Sequence, residues 1–447
     1  MARLTGTHIY TFAKCPRAVA LDLHGDPAQR RELTAHEAQL LARGREHEAR
    51  VVAGLGYRQP EYPERDFVAG AAATVDLLRA GVAGVHQGVL LDGARLGIPD
   101  LLRREAGPSR LGDWHYVVGD VKSSKHARSD QLLQVAFYSR LLGRAQERSP
   151  EYGYLLLKDG REERFALADY AETIDEVLAG AERLLAPEAA ARERPFWIRA
   201  CGSCRWSELC AAELEAKDDL ALLQRMTRGL RTVLEGAGVT TCAAAAQMAT
   251  EAVTRRTHLE APLVRRIRRA AEARCAKNLL PEPRGRQNPL GAAAIVHLEH
   301  DAFEERVRWF GVLCPAHEGG AVWSAAPAAA AAELEAFLTL IRRVPENYAL
   351  AHYGPTLPKW FAQACDRRAG VDAIEHRFVD LAPRFRGAAV FPGPVFDLAG
   401  HVRFGLAKPH AANGPDELLD LARLRRRLLD DQDGPVVRAE AAPIPRA

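Results

Sequence analysis

The apolar pattern changes period several times along the chain, and each change predicts an element. Tyr116-Val-Val-Gly-Asp-Val121 is an apolar run of strand length broken by a single acid, and it predicts a buried strand over 115–122. Alternation across the pleat puts Asp120 and Lys122 on one face. Upstream, Val85 to Leu102 reads as two strands joined at Asp92-Gly93, the second closing on Gly97-Ile-Pro-Asp100. A turn is expected at Gly107-Pro-Ser. Downstream, Ser129 to Gly143 predicts a helix with Gln134 and Tyr138 one turn apart. A hairpin over Tyr152–Leu167 turns at Asp159-Gly160, and a helix covers roughly 168–186.

The start of the chain, 8–23, is helix-like. Thr34-Ala-His-Glu37 is a capping box, and the helix it opens has the stripe Leu40, Leu41, Gly44, His47, Val51. Gly54-Leu-Gly56 ends it. The order is helix, three-stranded meander, helix, strand: a mixed α/β core.

From Cys210 onward the pattern turns helical. Leu230 to Met248 holds Gly236-Ala-Gly-Val-Thr-Thr between apolar helices, similar to a helix-hairpin-helix. Pro281 to Gly291 reads as a linker. Strands are expected at 293–299, 306–314 and 321–324, then a helix through the alanine run 327–342 and a strand Ala349–Tyr353. The Pro-rich tail reads as disordered. These divisions predict domains over 1–215, 216–288 and 289–432, with a tail over 433–447.

Length and composition add bounds. The 447 residues suit two or three domains. The hydrophobic fraction of 47% and charged fraction of 27% are those of a globular protein with sizeable cores. No run is apolar enough to span a membrane, and Met-Ala-Arg-Leu-Thr-Gly has no signal-peptide core, so a cytoplasmic location is expected. The net charge of +3 does not by itself imply a nucleic-acid partner. Grouped arginines at Arg255-Arg256, Arg265 to Arg269 and Arg425 to Arg427 suit phosphate contacts, although a solvated helix face explains any one of them.

Four of the eight cysteines, Cys15, Cys201, Cys204 and Cys210, suggest a metal: a C-x2-C-x5-C cluster with one distant thiol. By spacing alone the four take an iron–sulfur cluster or zinc, or are free buried cysteines that hold nothing. Cys242, Cys275, Cys314 and Cys365 are scattered and read as small core residues.

Phosphodiester cleavage needs a divalent metal, a positioned water and a cation near the developing charge. Asp100 and Asp120 end neighbouring strands, as suits one ion held between them, and Lys122 faces the same cleft. Each piece alone has a plainer reading: a surface pair for Asp120 and Lys122, a packed core residue for His47, ordinary helix positions for Gln134 and Tyr138.

Together, Gly44-Arg-Glu-His47, Pro99-Asp100, Asp120-Val-Lys122 and Gln134-Val-Ala-Phe-Tyr138 occur in the order of the RecB-type nucleases of the PD-(D/E)xK superfamily, which the chain resembles over its first half. The resemblance implies a restriction-endonuclease-like core and Mg²⁺ or Mn²⁺ on His47, Asp100, Asp120 and the carbonyl of Val121. It implies Lys122 as the catalytic lysine, with Gln134 and Tyr138 contacting substrate or orienting it. Asp120 stands where many members have Glu. Lys14-Cys15-Pro16-Arg17 and the later cysteines are similar to the iron–sulfur branch of these nucleases, which includes the CRISPR-adaptation nuclease. That branch implies a structural [4Fe–4S] cluster on Cys15, Cys201, Cys204 and Cys210, with zinc as the lesser alternative.

From 292 the element order resembles an RNase H-like α/β fold. Its first strand reads His297-Leu-Glu299 and lacks the leading aspartate, while His352, Asp380 and Asp420 lie where later motifs fall. The implied domain is catalytically degenerate and serves substrate or partner binding. The function expected is a metal-dependent (exo)deoxyribonuclease acting on single-stranded DNA or DNA ends in repair or defence. The alternative is a nucleic-acid-binding scaffold that has lost turnover. The chain has no helicase phosphate-binding loop, so any unwinding falls to a partner helicase.

Overall fold

A computed structural model describes residues 2–124, 126–281, 291–301, 306–316, 321–365, 372–396, 398 and 414–429. The chain folds as two compact units, one of 1–195 with 200–213, the other of 196–199 with 214–447.

The first unit begins with β1 (Leu4–Thr5), α1 (Gly6–Phe12) and α2 (Pro16–His24), followed by α3 (Ala35–Ala53) and α4 (Phe67–Arg79). The expected single helical start is two helices, because Pro16 opens a new one. Thr34 and Glu37 cap α3 reciprocally, and Gly54 closes it. The stripe expected to make α3 a core helix is not buried: no residue of α3 whose exposure is described is buried, and Leu41 is 51% exposed. Helix α4 is not marked by the turn and strand signals around it. It buries Gly70, Thr74 and Leu78, and Thr74 Oγ1 accepts the Val89 N–H at 2.8 Å.

Strands β2 (Gly84–His86), β3 (Leu90–Asp92), β4 (Arg95–Gly97), β5 (Leu101–Ser109) and β6 (Gly112–Val121) come next. They are followed by α5 (Ser129–Gln146), β7 (Tyr152–Leu156), β8 (Glu162–Ala166), α6 (Ala171–Arg183), α7 (Pro187–Ala191) and α8 (Ser207–Ala216). The main sheet has the order β2-β5-β6-β7-β8, with only β6 and β7 parallel. A second sheet, β1-β4-β3, contains the expected hairpin at Asp92-Gly93. Helix α5 packs on the main sheet in the largest core, with Tyr116, Val118, Phe137, Leu142 and Leu155.

The turn expected at Gly107-Pro-Ser lies instead at Arg110-Leu111, and Gly107 and Pro108 belong to β5. The register slips between Ala106 and Ser109, and Gly107 takes φ +126° there. Proline is tolerated because β2 pairs only with Leu101–Arg103, so no neighbour on that side needs its amide.

The second unit opens with α9 (Arg228–Gly236), α10 (Cys242–Gln247), α11 (Thr250–Thr257) and α12 (Ala261–Ala276), packed around Leu234, Cys242, Val253 and Val264. After the short β9 (Leu280–Pro281) come β10 (Ala293–Asp301), β11 (Arg306–Cys314), β12 (Ala321–Ala325), α13 (Glu333–Ile341), β13 (Ala349–His352), α14 (Thr356–Cys365) and, beyond them, β14 (Phe378–Asp380). Their sheet runs β12-β11-β10-β13-β14; the first three strands are antiparallel and the last two parallel to β10. Helix α13 starts after the alanine run, where Leu334, Phe337 and Ile341 supply a face worth burying. Cys242, Cys314 and Cys365 are core residues as expected, but Cys275 is exposed near the end of α12. The linker residues 282–290 and the tail 433–447 lie outside the described residues.

Candidate active site

Strand β6 organises the site. It is buried from His115 to Val121, and antiparallel pairing of Leu101 with Gly119 sets Asp100 opposite Asp120. The Val121 N–H donates to Asp100 Oδ2 at 2.7 Å. The Asp120 side chain is 3% exposed, and the two carboxyls are in hydrogen-bond contact. Lys122 Nζ lies directly against Asp120 Oδ2.

Helix α5 completes the cleft. Lys122 Nζ donates to Gln134 Oε1 at 3.4 Å, and Gln134 Nε2 donates to the Tyr138 hydroxyl at 3.0 Å. The chain Asp120–Lys122–Gln134–Tyr138 is therefore continuous. The Tyr138 ring is held between two glycines: a Cβ at Gly6 would overlap its hydroxyl, and one at Gly97 would sit 2.9 Å from Cδ1.

Burial pushes the Asp100 carboxyl well above the ordinary carboxylate range, and the Asp120 charge and Glu48 add to it. Burial alone would lower Lys122, but Asp120 and Asp100 override it and raise its pKa, so the ammonium stays charged. Tyr138 is raised by burial and then by the Asp120 charge, so it remains a neutral phenol. His47 is lowered by burial and by Arg50 and Lys158, which keeps its imidazole neutral.

His47 reaches the backbone of Lys122, and its Nε2 is buried with no hydrogen-bond partner. An unpartnered imidazole nitrogen and a pair of abutting carboxylates are the donor types a hard divalent cation takes. Among the described residues no group of three or more His, Cys, Asp or Glu side chains is arranged to hold a metal, so His47 does not close a ligand set with the two aspartates.

Tyr10 carries no motif signal, and Lys14 enters the sequence reading only as the neighbour of Cys15. The Tyr10 phenol acts electrostatically on Lys122, Lys14 Nζ lies 3.5 Å from the centre of the Tyr10 ring, and Lys14 pairs with Asp130 at 2.9 Å.

Residues 11–211 match the family model of the PD-(D/E)XK nuclease superfamily. This segment is a PD-(D/E)XK nuclease domain. No curated protein matches the chain. The nuclease domain implies a nucleic-acid substrate, and its span contains His47, Asp100, Asp120, Lys122, Gln134, Tyr138 and the four clustered cysteines. No helix among the described residues is long and apolar enough to cross a membrane.

The cysteines of the nuclease domain converge. Cys15, Cys204 and Cys210 pack around Ala18, Leu21 and Trp206. The Cys210 thiol is pushed up to about 12 by burial, with Cys15, Cys204 and Cys201 contributing. The four thiols lie within electrostatic reach of one another, but among the described residues no three of them are arranged to hold a metal.

Among the described residues of the second unit there is no comparable cluster. Glu299 is exposed, and the His352 imidazole is buried and lowered by burial. Asp380 Oδ1 accepts the N–H groups of Gly354 and Ala382, each at 2.9 Å. Asp420 pairs with Arg423 at 3.0 Å, and His297 Nε2 meets Glu417 Oε2 at 2.9 Å.

Proposed function

We propose that the first unit is a RecB-type, divalent-metal-dependent nuclease that hydrolyses DNA, favouring single strands or ends, in repair or defence. The observation that carries this reading is the pair of abutting carboxylates, Asp120 buried and Asp100 half-buried, with a charged lysine against Asp120. Asp100, Asp120, the Val121 carbonyl and His47 would hold Mg²⁺ or Mn²⁺. The ion when bound supplies Lewis acidity toward the scissile phosphate and a bound water of lowered pKa. Lys122 is placed to donate a hydrogen bond to the attacking water and to offset charge growing on the phosphoryl oxygens. Gln134 fixes the Lys122 ammonium, and Tyr138 fixes Gln134.

Digestion of labelled single-stranded DNA with Mn²⁺ tests the reading. Wild type should cut, and Lys122→Ala should be about 10²–10³ slower, the cost of losing one preorganised donor. Equal rates would sink the assignment. End-labelled and circular substrates run side by side separate exonuclease from endonuclease action.

The converging thiols support a structural [4Fe–4S] cluster on Cys15, Cys201, Cys204 and Cys210. Protein purified without oxygen should be brown and contain iron and acid-labile sulfide. Colourless protein with stoichiometric zinc would overturn this.

The sheet order of the second unit, three antiparallel strands followed by two parallel ones, supports an RNase H-like domain. Its carboxylates are dispersed or engaged, which fits a role in holding substrate or a partner such as a helicase. Separate expression of the second unit and a search for Mn²⁺-dependent cleavage tests that role; robust turnover would contradict it.

A further inference from the structure

The helices that open the second unit concentrate positive charge. Residues 250–277, which hold α11 and α12, carry seven Arg and one Lys against three Glu, a net of +5, whereas the whole chain carries +3. The rest of the chain therefore sums to −2. One face of these two helices is apolar and buried through Val253, Val264, Ile267, Ala270 and Ala271. The outward face carries the arginines: Arg255, Arg256, Arg265, Arg266 and Arg268 are all exposed.

Local structure does not account for all of them. Arg268 pairs with Glu272 at 2.9 Å, and Arg256 donates to the Ala237 carbonyl at 3.1 Å, in the turn between α9 and α10. Arg255, Arg265 and Arg266 pair with no carboxylate among the described residues. Arg255 lies in the last turn of α11, where the helix dipole favours a cation, but Arg265 and Arg266 lie in the N-terminal half of α12, whose first turn holds no acid. Arg265 also has Arg268 and Arg269 three and four positions on, like-charge spacings that destabilise a helix. A polyanion lying across the face removes that repulsion. The exposed glycine turn at 236–238 is not itself a phosphate cradle, because its amides are consumed locally. The Gly238 N–H donates to the Glu235 carbonyl and the Val239 N–H to the Leu234 carbonyl, each at 2.9 Å. Phosphate recognition here falls to guanidinium groups.

We propose that the arginine face of α11 and α12 is a docking surface for the phosphate backbone of duplex DNA, bound without regard to sequence. Guanidinium groups match phosphate oxygens in bidentate geometry. Neither helix has an aromatic residue, so the face lacks the stacking platform that a single strand takes. A duplex also offers the denser line of charge, one per about 1.7 Å of axis. The inference deepens the substrate-holding role given to the second unit and rests on the nucleic-acid substrate implied by the first.

The test is the salt dependence of binding of the full chain to a labelled duplex in EDTA, read by fluorescence anisotropy. Each phosphate contact contributes about 0.9 to the slope of log affinity on log salt. Arg255→Gln, Arg265→Gln and Arg266→Gln together should make that slope shallower by about 2–3 and weaken binding at about 50 mM salt at least tenfold. Arg265→Gln alone should lower the slope by about 1. The same three positions changed to Lys keep their charges and should keep the slope. Gln at Arg65, Arg79 and Arg342, which lie against carboxylates elsewhere, lowers the net charge equally and should leave the slope unchanged. Variants of the exposed face should melt no lower than wild type. Equal slopes for wild type and the first triple overturn the proposal, as does an equal loss in the two Gln triples or a large preference between duplexes of different sequence. Competition by polyglutamate as strong as by unlabelled duplex would mark an acidic protein as the partner and overturn it too. Wild type that binds no duplex overturns the surface alone. Binding lost in the first triple while wild type cuts nothing with Mn²⁺ upholds the surface and refutes the nuclease reading. Cleavage by wild type with an unchanged slope in the triple does the reverse.

Discussion

Replacing Asp100 by Asn should stabilise the metal-free protein while abolishing its response to metal. Asp100 and Asp120 touch across β5 and β6, and burial raises the Asp100 carboxyl, with the Asp120 charge next in weight. Two like charges about 4 Å apart at an effective dielectric near 20 repel by roughly 4 kcal/mol. Lys122 offsets part of this, so a net relief of about 1–2 kcal/mol is reasonable. Asn keeps an oxygen for the Val121 N–H, so that hydrogen bond survives. For a unit of roughly 200 residues each kcal/mol moves the melting temperature by about 2–4 °C. Asp100→Asn should therefore melt about 2–8 °C higher in EDTA. Wild type should gain stability with Mn²⁺ and the variant should not. The pH dependence has a definite sign. The folded carboxyl is raised, so the penalty is fully present above its folded pKa and disappears as pH falls toward the unfolded value. The gap between variant and wild type should close on acidification. Equal melting in EDTA at neutral pH, or an Mn²⁺ shift that survives in Asp100→Asn, would refute the reasoning.

Tyr138→Phe removes the acceptor that aims Gln134; losing one hydrogen bond of about 1 kcal/mol should slow cleavage roughly fivefold at unchanged Mn²⁺ affinity, read from rates over an Mn²⁺ series. Gly6→Ala drives a methyl into the Tyr138 hydroxyl and should cost about 1–3 kcal/mol in urea unfolding. In the second unit, buried Glu333 accepts the Val307 N–H and the Trp360 indole N–H, each at 2.8 Å. Glu333→Ala strands both donors and should cost about 2–5 kcal/mol, visible as a lowered denaturation midpoint of that unit without change in Mn²⁺ affinity of the first.

The strand–helix frame of the site was legible because its signals are local. The apolar run 116–121, the Thr34–Glu37 capping box and the hairpin at Asp92-Gly93 depend only on neighbours in sequence. So does the four-residue spacing that lets Gln134 meet Tyr138. What was not legible depends on long-range pairing. Gly107-Pro108 looks like a turn until the shortness of β2 makes a proline in β5 harmless. The stripe on α3 looks like a core face, yet no sheet surface comes to cover Leu41. Glu48 falls outside the four motifs, and His86 and Gln87 sit in a run that reads only as strand; their hydrogen bonds to Glu48 depend on β2 bringing them to α3. Tyr10 is likewise set near Lys122 by packing of α1 on α5.

The other end of α3 is tied to the cysteine loop, which gives that loop a consequence beyond holding its own fold. Arg31 pairs with Glu37 in the first turn of α3, at 2.6 Å, and its Nε donates to the Cys204 carbonyl at 3.3 Å. The Arg31 N–H donates to the Arg205 carbonyl at 3.0 Å, and Arg205 Nε returns a bond to the Arg31 carbonyl at 2.8 Å. Residues 31 and 204–205 are thus clasped by three hydrogen bonds across more than 170 positions of chain. Because α3 has little core packing, loosening this clasp should reach the whole helix. Cys204→Ser, which disturbs the thiol set and the backbone beside it, should speed amide exchange through 35–53 while leaving β5 and β6 protected, as local opening of a weakly packed segment does. Exchange that rises only at 201–210 would show that the clasp does not support α3. Exchange that rises equally in β5 and β6 would show that α3 is no weaker than the sheet it crosses.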